Sequence, residues 1–164
     1  MSEPNAPAEL ETDVQTEAQN FAWFELFNEI GIINQLATTR FERVLPENLT
    51  LSQFSVLNNF VRLGGSRTPL QLANAFQVTK GAMTNTLKKL AARDCIKITA
   101  DPNDGRGKIV EITAKGVALR EAAIVAAMDE LADMRGHLSS EALQTLLPQL
   151  RGLRAALDAA RAVG

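Results

Sequence analysis

The chain holds a single cysteine, Cys95, and a single histidine, His137, among its 164 residues. One thiol excludes an intrachain disulfide and a zinc site built from clustered cysteines. One imidazole offers little to a catalytic centre, and no P-loop, nucleotide-binding glycine fingerprint or HExxH pattern is present. No enzyme is expected, and no cofactor or metal. No apolar run approaches the roughly 20 residues that span a bilayer. The first residues also lack the basic and apolar regions of a secretory signal. These absences predict a cytoplasmic protein with no membrane partner, whose Asn48-Leu49-Thr50 sequon carries no glycan. Cys95 precedes an apolar strand and is expected to be packed and inert. His137 is expected at a helix end, interacting with the dipole.

What is present is unevenly distributed. The apolar share of 46% and charged share of 22% suit a soluble globular protein, and the length suits one domain. Residues 1–20 carry five acids and no base and read as a disordered acidic tail. From Arg62 to Lys115 ten bases face four acids, a net +6 in a chain whose overall charge is −2. Such a concentration matches either a phosphate-binding footprint or a solvated helix face.

The remainder, 21–164, reads as one domain. Phe24, Phe27, Ile30, Asn34, Ala37, Phe41 and Val44 follow helical spacing, with Trp23, Leu26, Ile33 and Leu36 widening the apolar face. This predicts a long helix from Phe21 to Val44, ended by Pro46. Thr50 is a plausible N-cap for a second helix that stops at Gly64-Gly65. Thr113 begins another, fading at Gly136. Ser139 caps a last one with a seam of Leu143, Leu146, Leu147, Leu150, Leu153 and Leu157. Pro148 inside that seam predicts a bend or a restart. The long apolar helices at 21–45 and 114–164 are expected to form a homodimer, because a small lobe at 50–113 cannot cover them. The alternative is that they pad a monomeric core.

The lobe carries the most telling stretch. A short helix at Pro69–Phe76, a turn at Gln77-Val78 and a second helix from Thr79 to about Arg93 precede two β-like runs, Ile96–Thr99 and Lys108–Ile112. Helix, turn, helix, hairpin is the order of a winged helix-turn-helix, which sets one helix in a major groove and a basic hairpin beside it. The fold class is therefore mainly α with a small β-hairpin wing and long terminal dimerisation helices. Winding the second helix at 100° per residue turns Met83, Leu87 and Leu90 inward. Gly81, Asn85 and Lys88 lie opposite, flanked by Ala82, Thr84 and Lys89. Gly81 and Ala82 permit close approach to base edges, Asn85 can pair with adenine, and Thr84 can meet a thymine methyl. Thr79 should cap this helix, whose first N–H groups can bind a phosphate. In the hairpin, Asp104-Gly105 is expected to supply a positive φ, with Arg106 following at the tip, suited to a narrow minor groove. Asp104 would orient that guanidinium, and Lys97 and Lys108 flank it on the strands. The expected DNA-contacting set is Thr68, Thr79, Lys80, Gly81, Ala82, Thr84, Asn85, Lys88, Lys89, Asp104, Arg106 and Lys108.

Leu51-x-Gln53-Phe54-x-Val56-Leu57, Thr68-Pro69-x-x-Leu72-Ala73, Val78-Thr79-Lys80-Gly81-Ala82-Met83-Thr84, Asp101-Pro102-x-Asp104-x-Arg106 and Ile112-Thr113-x-x-Gly116 together resemble the MarR (multiple antibiotic resistance regulator) family. The resemblance covers nearly all of the chain after the tail. It implies a winged helix-turn-helix homodimer joined through its terminal helices, binding a double-stranded, pseudo-palindromic DNA operator and acting as a repressor released by a small phenolic or aromatic effector. The chain departs from the pattern in two places: Asp94-Cys95 replaces a usual glycine-leucine, and Asn85 stands where arginine is common. In this architecture a crevice between the first two helices and the lobe would suit an aromatic carboxylate, with Phe24, Phe27 and Phe54 as apolar surface and Asn34, Arg40 and Arg62 as polar anchors. The alternative is that these residues fill the core or the dimer seam. The rival function, a winged helix that engages proteins and not DNA, is permitted by an acidic pI near 5.5 and opposed by the +6 segment and the wing arginine.

Overall fold

Threonines set the helix starts in this chain. The hydroxyl oxygens of Thr50, Thr68, Thr79 and Thr113 accept the backbone N–H of Gln53, Gln71, Ala82 and Gly116 at 3.2, 3.1, 3.2 and 3.1 Å. Each such cap stabilises by about 1 kcal/mol. At Thr50 and Thr68 the glutamine three residues on returns a bond from its own side chain, closing a reciprocal capping box. The second box, at Thr68, sits on the visible pattern Thr-x-x-Gln.

The computed structural model describes residues 6–102 and 104–161, and within them the side chains of 6–15, 18, 106, 133 and 161 are not described. Helix α1 (Ala6–Val44) is followed by a 3-10 turn at Pro46–Asn48, α2 (Leu51–Leu63), α3 (Pro69–Ala75) and α4 (Lys80–Ala91). Strands β1 (Ile96–Asp101) and β2 (Asp104–Ile112), α5 (Ala114–Glu130), a 3-10 turn at Ala132–Gly136 and α6 (Ser140–Arg161) complete the order. The α1 helix starts at Ala6 and not at Phe21, so it runs through much of the segment whose composition suggested a tail. Thr16, Glu17, Gln19 and Asn20 on it are exposed. Helical backbone there needs no apolar stripe, only residues that tolerate it. Pro148 does not break α6, which runs on through it.

The strands pair antiparallel from Ile96↔Ile112 to Ala100↔Lys108, with an irregularity before Asp101↔Asp104. Arg67, just ahead of α3, exchanges two backbone bonds with Val110, at 3.1 and 2.8 Å, which pins β2 to the lobe. One sequence expectation is corrected here: Gly105 lies inside β2 and is not left-handed. The glycines with positive φ among the described residues are Gly64 and Gly65, which end α2.

All the buried apolar residues described lie between Leu45 and Ala123. Val56, Leu57 and Phe60 of α2 meet Leu72 of α3, Met83, Leu87 and Leu90 of α4, Ile96 and Val110 of the wing base, and Leu119 and Ala123 of α5. Complete burial of each large side chain contributes about 1.5–3 kcal/mol. By contrast, no described residue of α1 or α6 is buried. Among the described residues, no helix is long and apolar enough to cross a membrane.

Both helices of the helix-turn-helix end on a left-handed residue that is not glycine. At the end of α3, Gln77 (φ 55°) donates to Asn74 O and Val78 to Ala73 O, at 3.3 and 3.1 Å. At the end of α4, Asp94 (φ 58°) donates to Ala91 O and Cys95 to Leu90 O, at 2.9 and 3.0 Å. This is the Schellman arrangement, whose left-handed site favours glycine. Asp94→Gly should therefore stabilise the fold by about 0.5–1 kcal/mol. Equilibrium urea unfolding of the variant checks this, and a loss of stability would show that the aspartate side chain contributes more than its backbone costs.

Candidate nucleic-acid interface

The winding of α4 expected from its sequence is the one observed. Met83, Leu87 and Leu90 are buried, while Lys80, Gly81, Ala82, Thr84, Asn85, Lys88 and Lys89 are exposed on the other side, as is the cap residue Thr79. A Cβ on Gly81 would meet only Thr79 Oγ1, at 3.9 Å. The fold therefore does not require glycine there. Thr84 donates its hydroxyl to Lys80 O at 2.7 Å, which uses its one hydrogen and leaves the oxygen lone pairs and the methyl to offer. Ala82 and Gly81 precede it at the amino end of α4, so this end is small and uncharged apart from Lys80. The basic pair Lys88 and Lys89 occupies the last turn.

The wing stands beside that helix. A cleft of about 490 Å³ lies between them, its walls including Thr68, Lys80, Thr84, Asp104 and Lys108. Five of the expected DNA-contacting residues thus come together around one opening. Asn85, Lys88 and Lys89 lie further along α4, outside it. Lys97 and Lys108 are both exposed on the strands. Arg106 belongs to β2; its side chain lies outside the described residues, and so does its expected pairing with Asp104.

Gly107, which sequence reasoning passed over, is required by this geometry. A Cβ there would lie 2.9 Å from Asp101 Cβ and 3.1 Å from Asp104 Cβ. Only glycine lets β2 pass that close to the two aspartates as the hairpin narrows.

The six residues expected around an effector are dispersed. Phe24 and Phe27 are exposed on α1, and Phe54 packs against the lobe core. Arg62 is exposed at the end of α2, and Arg40 is bonded to Glu130. Asn34 alone of the six lines a second cleft, of about 330 Å³, between α1, α2 and α4, with Thr38, Glu42, Ser55, Phe76 and Met83 also on its walls. Apolar periodicity grouped Phe24 and Phe27 on one face of α1 but did not show what covers that face, and within this chain both stay exposed.

Cys95 is completely buried. Burial pushes its thiol pKa up, against a smaller opposing effect of the nearby Lys115 charge, so a thiolate is disfavoured there. His137 follows the 3-10 turn at Ala132–Gly136 and is exposed. Among the described residues no group of three or more His, Cys, Asp or Glu side chains is placed to hold a metal ion.

Comparison with known proteins agrees with this geometry. Residues 47–107 match the family model for the MarR family. The multiple antibiotic resistance protein MarR of Salmonella typhimurium is 34% identical over 105 residues, covering 59% of this chain and 72% of the relative. Its Escherichia coli counterpart is 32% identical over the same length and coverage. The structure of a mutant Escherichia coli MarR complexed with operator DNA superposes with a TM-score of 0.66 at 27% identity, covering 79% of this chain and 93% of that one. The transcriptional regulator BldR from Sulfolobus solfataricus gives 0.72 at 27% identity, covering 82% and 96%. With its helix order, its paired wing and a relative matched over most of its length, the chain belongs to the MarR family.

Proposed function

We propose that this protein is a DNA-binding transcriptional regulator that engages a pseudo-palindromic operator as a homodimer. The observation that carries this reading is the outward face of α4, small at its amino end and basic at its carboxyl end, set beside a wing across an open cleft. A helix presenting Gly81, Ala82, Thr84 and Asn85 to solvent with no structural need to do so is arranged for close approach to base edges. The Escherichia coli relative seen with operator DNA supports the same use of the fold.

The homodimer is supported by what α1 and α6 leave uncovered. Phe21, Phe24, Ile33 and Leu36 on α1, and Leu143, Leu146, Leu147 and Leu157 on α6, are exposed. Apolar patches of that extent mark an interface on a soluble protein. Within the segments 21–45 and 114–164, α1 and α6 are therefore the dimer-forming parts, around a DNA-binding lobe at 50–113 whose core α5 completes through Leu119 and Ala123. Two-fold symmetry then places the half-site centres about one DNA turn apart, roughly 34 Å.

Release by a small aromatic or phenolic effector fits the 330 Å³ cleft that Asn34 lines, which lies within the size range of small-molecule sites. Repression is the outcome such release implies, and the cytoplasm is where an operator is met. A gel-shift on the DNA upstream of its own gene, alongside selection from a random duplex library, tests the reading; no retained duplex in either would refute it.

The interface set makes separable predictions. Arg106→Ala should weaken operator binding by ~1–3 kcal/mol per half-site, and Asn85→Ala should relax base preference at one position of each half-site. Lys88→Ala should weaken binding on all sequences alike and lower the salt slope by about 1. Titrations at several salt concentrations distinguish the three, and Arg106→Ala behaving as wild type would remove the wing from the interface.

A further inference from the structure

Helices α1, α2 and α5 meet where the long N-terminal helix joins the lobe, and each pair of them is tied by a side chain. Arg40, near the end of α1, donates from Nε to the Glu130 carboxylate and from Nη2 to the Glu130 carbonyl at 3.1 Å. Glu130 is the last residue of α5. Glu42, two positions along α1, accepts the backbone N–H of Leu51 at 2.7 Å, and Leu51 is the first residue of α2. Arg120 of α5 closes the triangle, donating from Nε and Nη2 to Asn58 Oδ1 of α2 at 3.1 and 2.8 Å.

The signs suit the helix poles: a cation meets the carbonyl end of α5 and an anion meets the amino end of α2. These ties add little to stability, because Arg40 and Glu130 keep 34% and 27% of their side-chain exposure and solvent screens them. What they supply is direction. Two charge-assisted bonds of opposite sign, from residues two apart on α1, resist both rotation and sliding of that helix over the α2–α5 pair. No described residue of α1 is buried, so core packing alone does not orient it. Helix α2 in turn packs on α4, so the angle between α1 and α2 is passed to the recognition helix.

We propose that Arg40, Glu42 and the Arg120–Asn58 pair are positioning residues that set the angle between α1 and the lobe, and through it the half-site spacing the dimer accepts. The inference rests on the dimeric DNA-binding reading above. A rotation at this junction occurs in both protomers and, under two-fold symmetry, moves the two copies of α4 in opposite senses.

The test compares two duplexes. One is the operator that the wild-type protein selects from a random library. The other has two base pairs inserted between its half-sites, which moves one half-site by about 7 Å and turns it by about 70°. Wild type should bind the second far more weakly. In Arg40→Gln and Glu42→Ala the ratio between the two affinities should shrink by about 10-fold, and in Arg40→Lys, which keeps a cation at the end of α5, it should largely recover. Asn58→Ala supplies a break that changes no charge and should shrink the ratio in the same direction. A merely structural role would lower both affinities together, so an unchanged ratio in folded, dimeric variants overturns the proposal. Wild type binding both spacings equally overturns it too while leaving the DNA-binding reading intact. Wild type selecting no duplex at all refutes that reading itself.

Discussion

Gly116→Ala is expected to destabilise the fold by about 3 kcal/mol, the upper end of what one added methyl costs in a packed site. The start of α5 is stitched to the turn after α4: Thr113 N–H donates to Cys95 O at 3.1 Å, and its hydroxyl donates to Asp94 O at 2.6 Å. Those bonds draw the first turn of α5 onto the Cys95 peptide. A Cβ on Gly116 would then stand 2.1 Å from Cys95 O and 2.8 Å from Ile112 Cγ1. Backbone cannot yield as a flexible side chain would, so the helix start must lift and its cap bonds with it. A fall of about 10 °C in the thermal midpoint is the corresponding scale. An unchanged midpoint would mean that α5 does not begin against Cys95. The same contact gives a physical reason for the Thr-x-x-Gly pattern: the threonine caps the helix by taking the N–H of the glycine, whose missing side chain admits the preceding carbonyl.

The second large effect should come from α6. Replacing Leu146 and Leu147 together by Glu is expected to yield monomers whose operator affinity is about 100- to 10,000-fold lower, since each lobe would then bind its half-site without its partner. Both leucines are exposed, and no described residue of α6 enters the core. The lobe should accordingly keep its circular-dichroism spectrum. Light scattering and the gel-shift read the two consequences together. A double variant that remains dimeric would move the interface elsewhere, and one that lost its lobe structure would show that α6 supports the core after all.

Most of the lobe was legible because its signals are local. Met83, Leu87 and Leu90 declare the inner face of α4 by their spacing, and Thr50, Thr79 and Thr113 declare helix starts by type. The turn at Gln77-Val78 was legible, but the left-handed conformation of Gln77 and of Asp94 was not, since neither residue is the glycine that would advertise it. The need for glycine at 107 comes from how the hairpin narrows onto Asp101 and Asp104, and the pattern Thr113-x-x-Gly116 marked Gly116 without showing that the Cys95 carbonyl, 21 positions earlier, is what excludes a side chain there. The ties from Arg40 to Glu130 and from Arg120 to Asn58 span 90 and 62 positions, so nothing near either arginine announces its partner. The expected effector set failed to gather for a related reason: an apolar stripe shows that Phe24 and Phe27 want cover, not which surface provides it.

The confinement of the core between Leu45 and Ala123 has a consequence for how the protein is made. During synthesis, Phe21, Trp23, Phe24 and Phe27 emerge before any of the core segment, and they stay exposed when that segment has folded. At about 5–20 residues per second, the ribosome leaves that aromatic surface uncovered for ~7–30 s before the leucines of α6 are complete. In the homodimer proposed above, that cover belongs to a second chain and arrives only by collision, so assembly of newly made protein should slow as the chain is diluted.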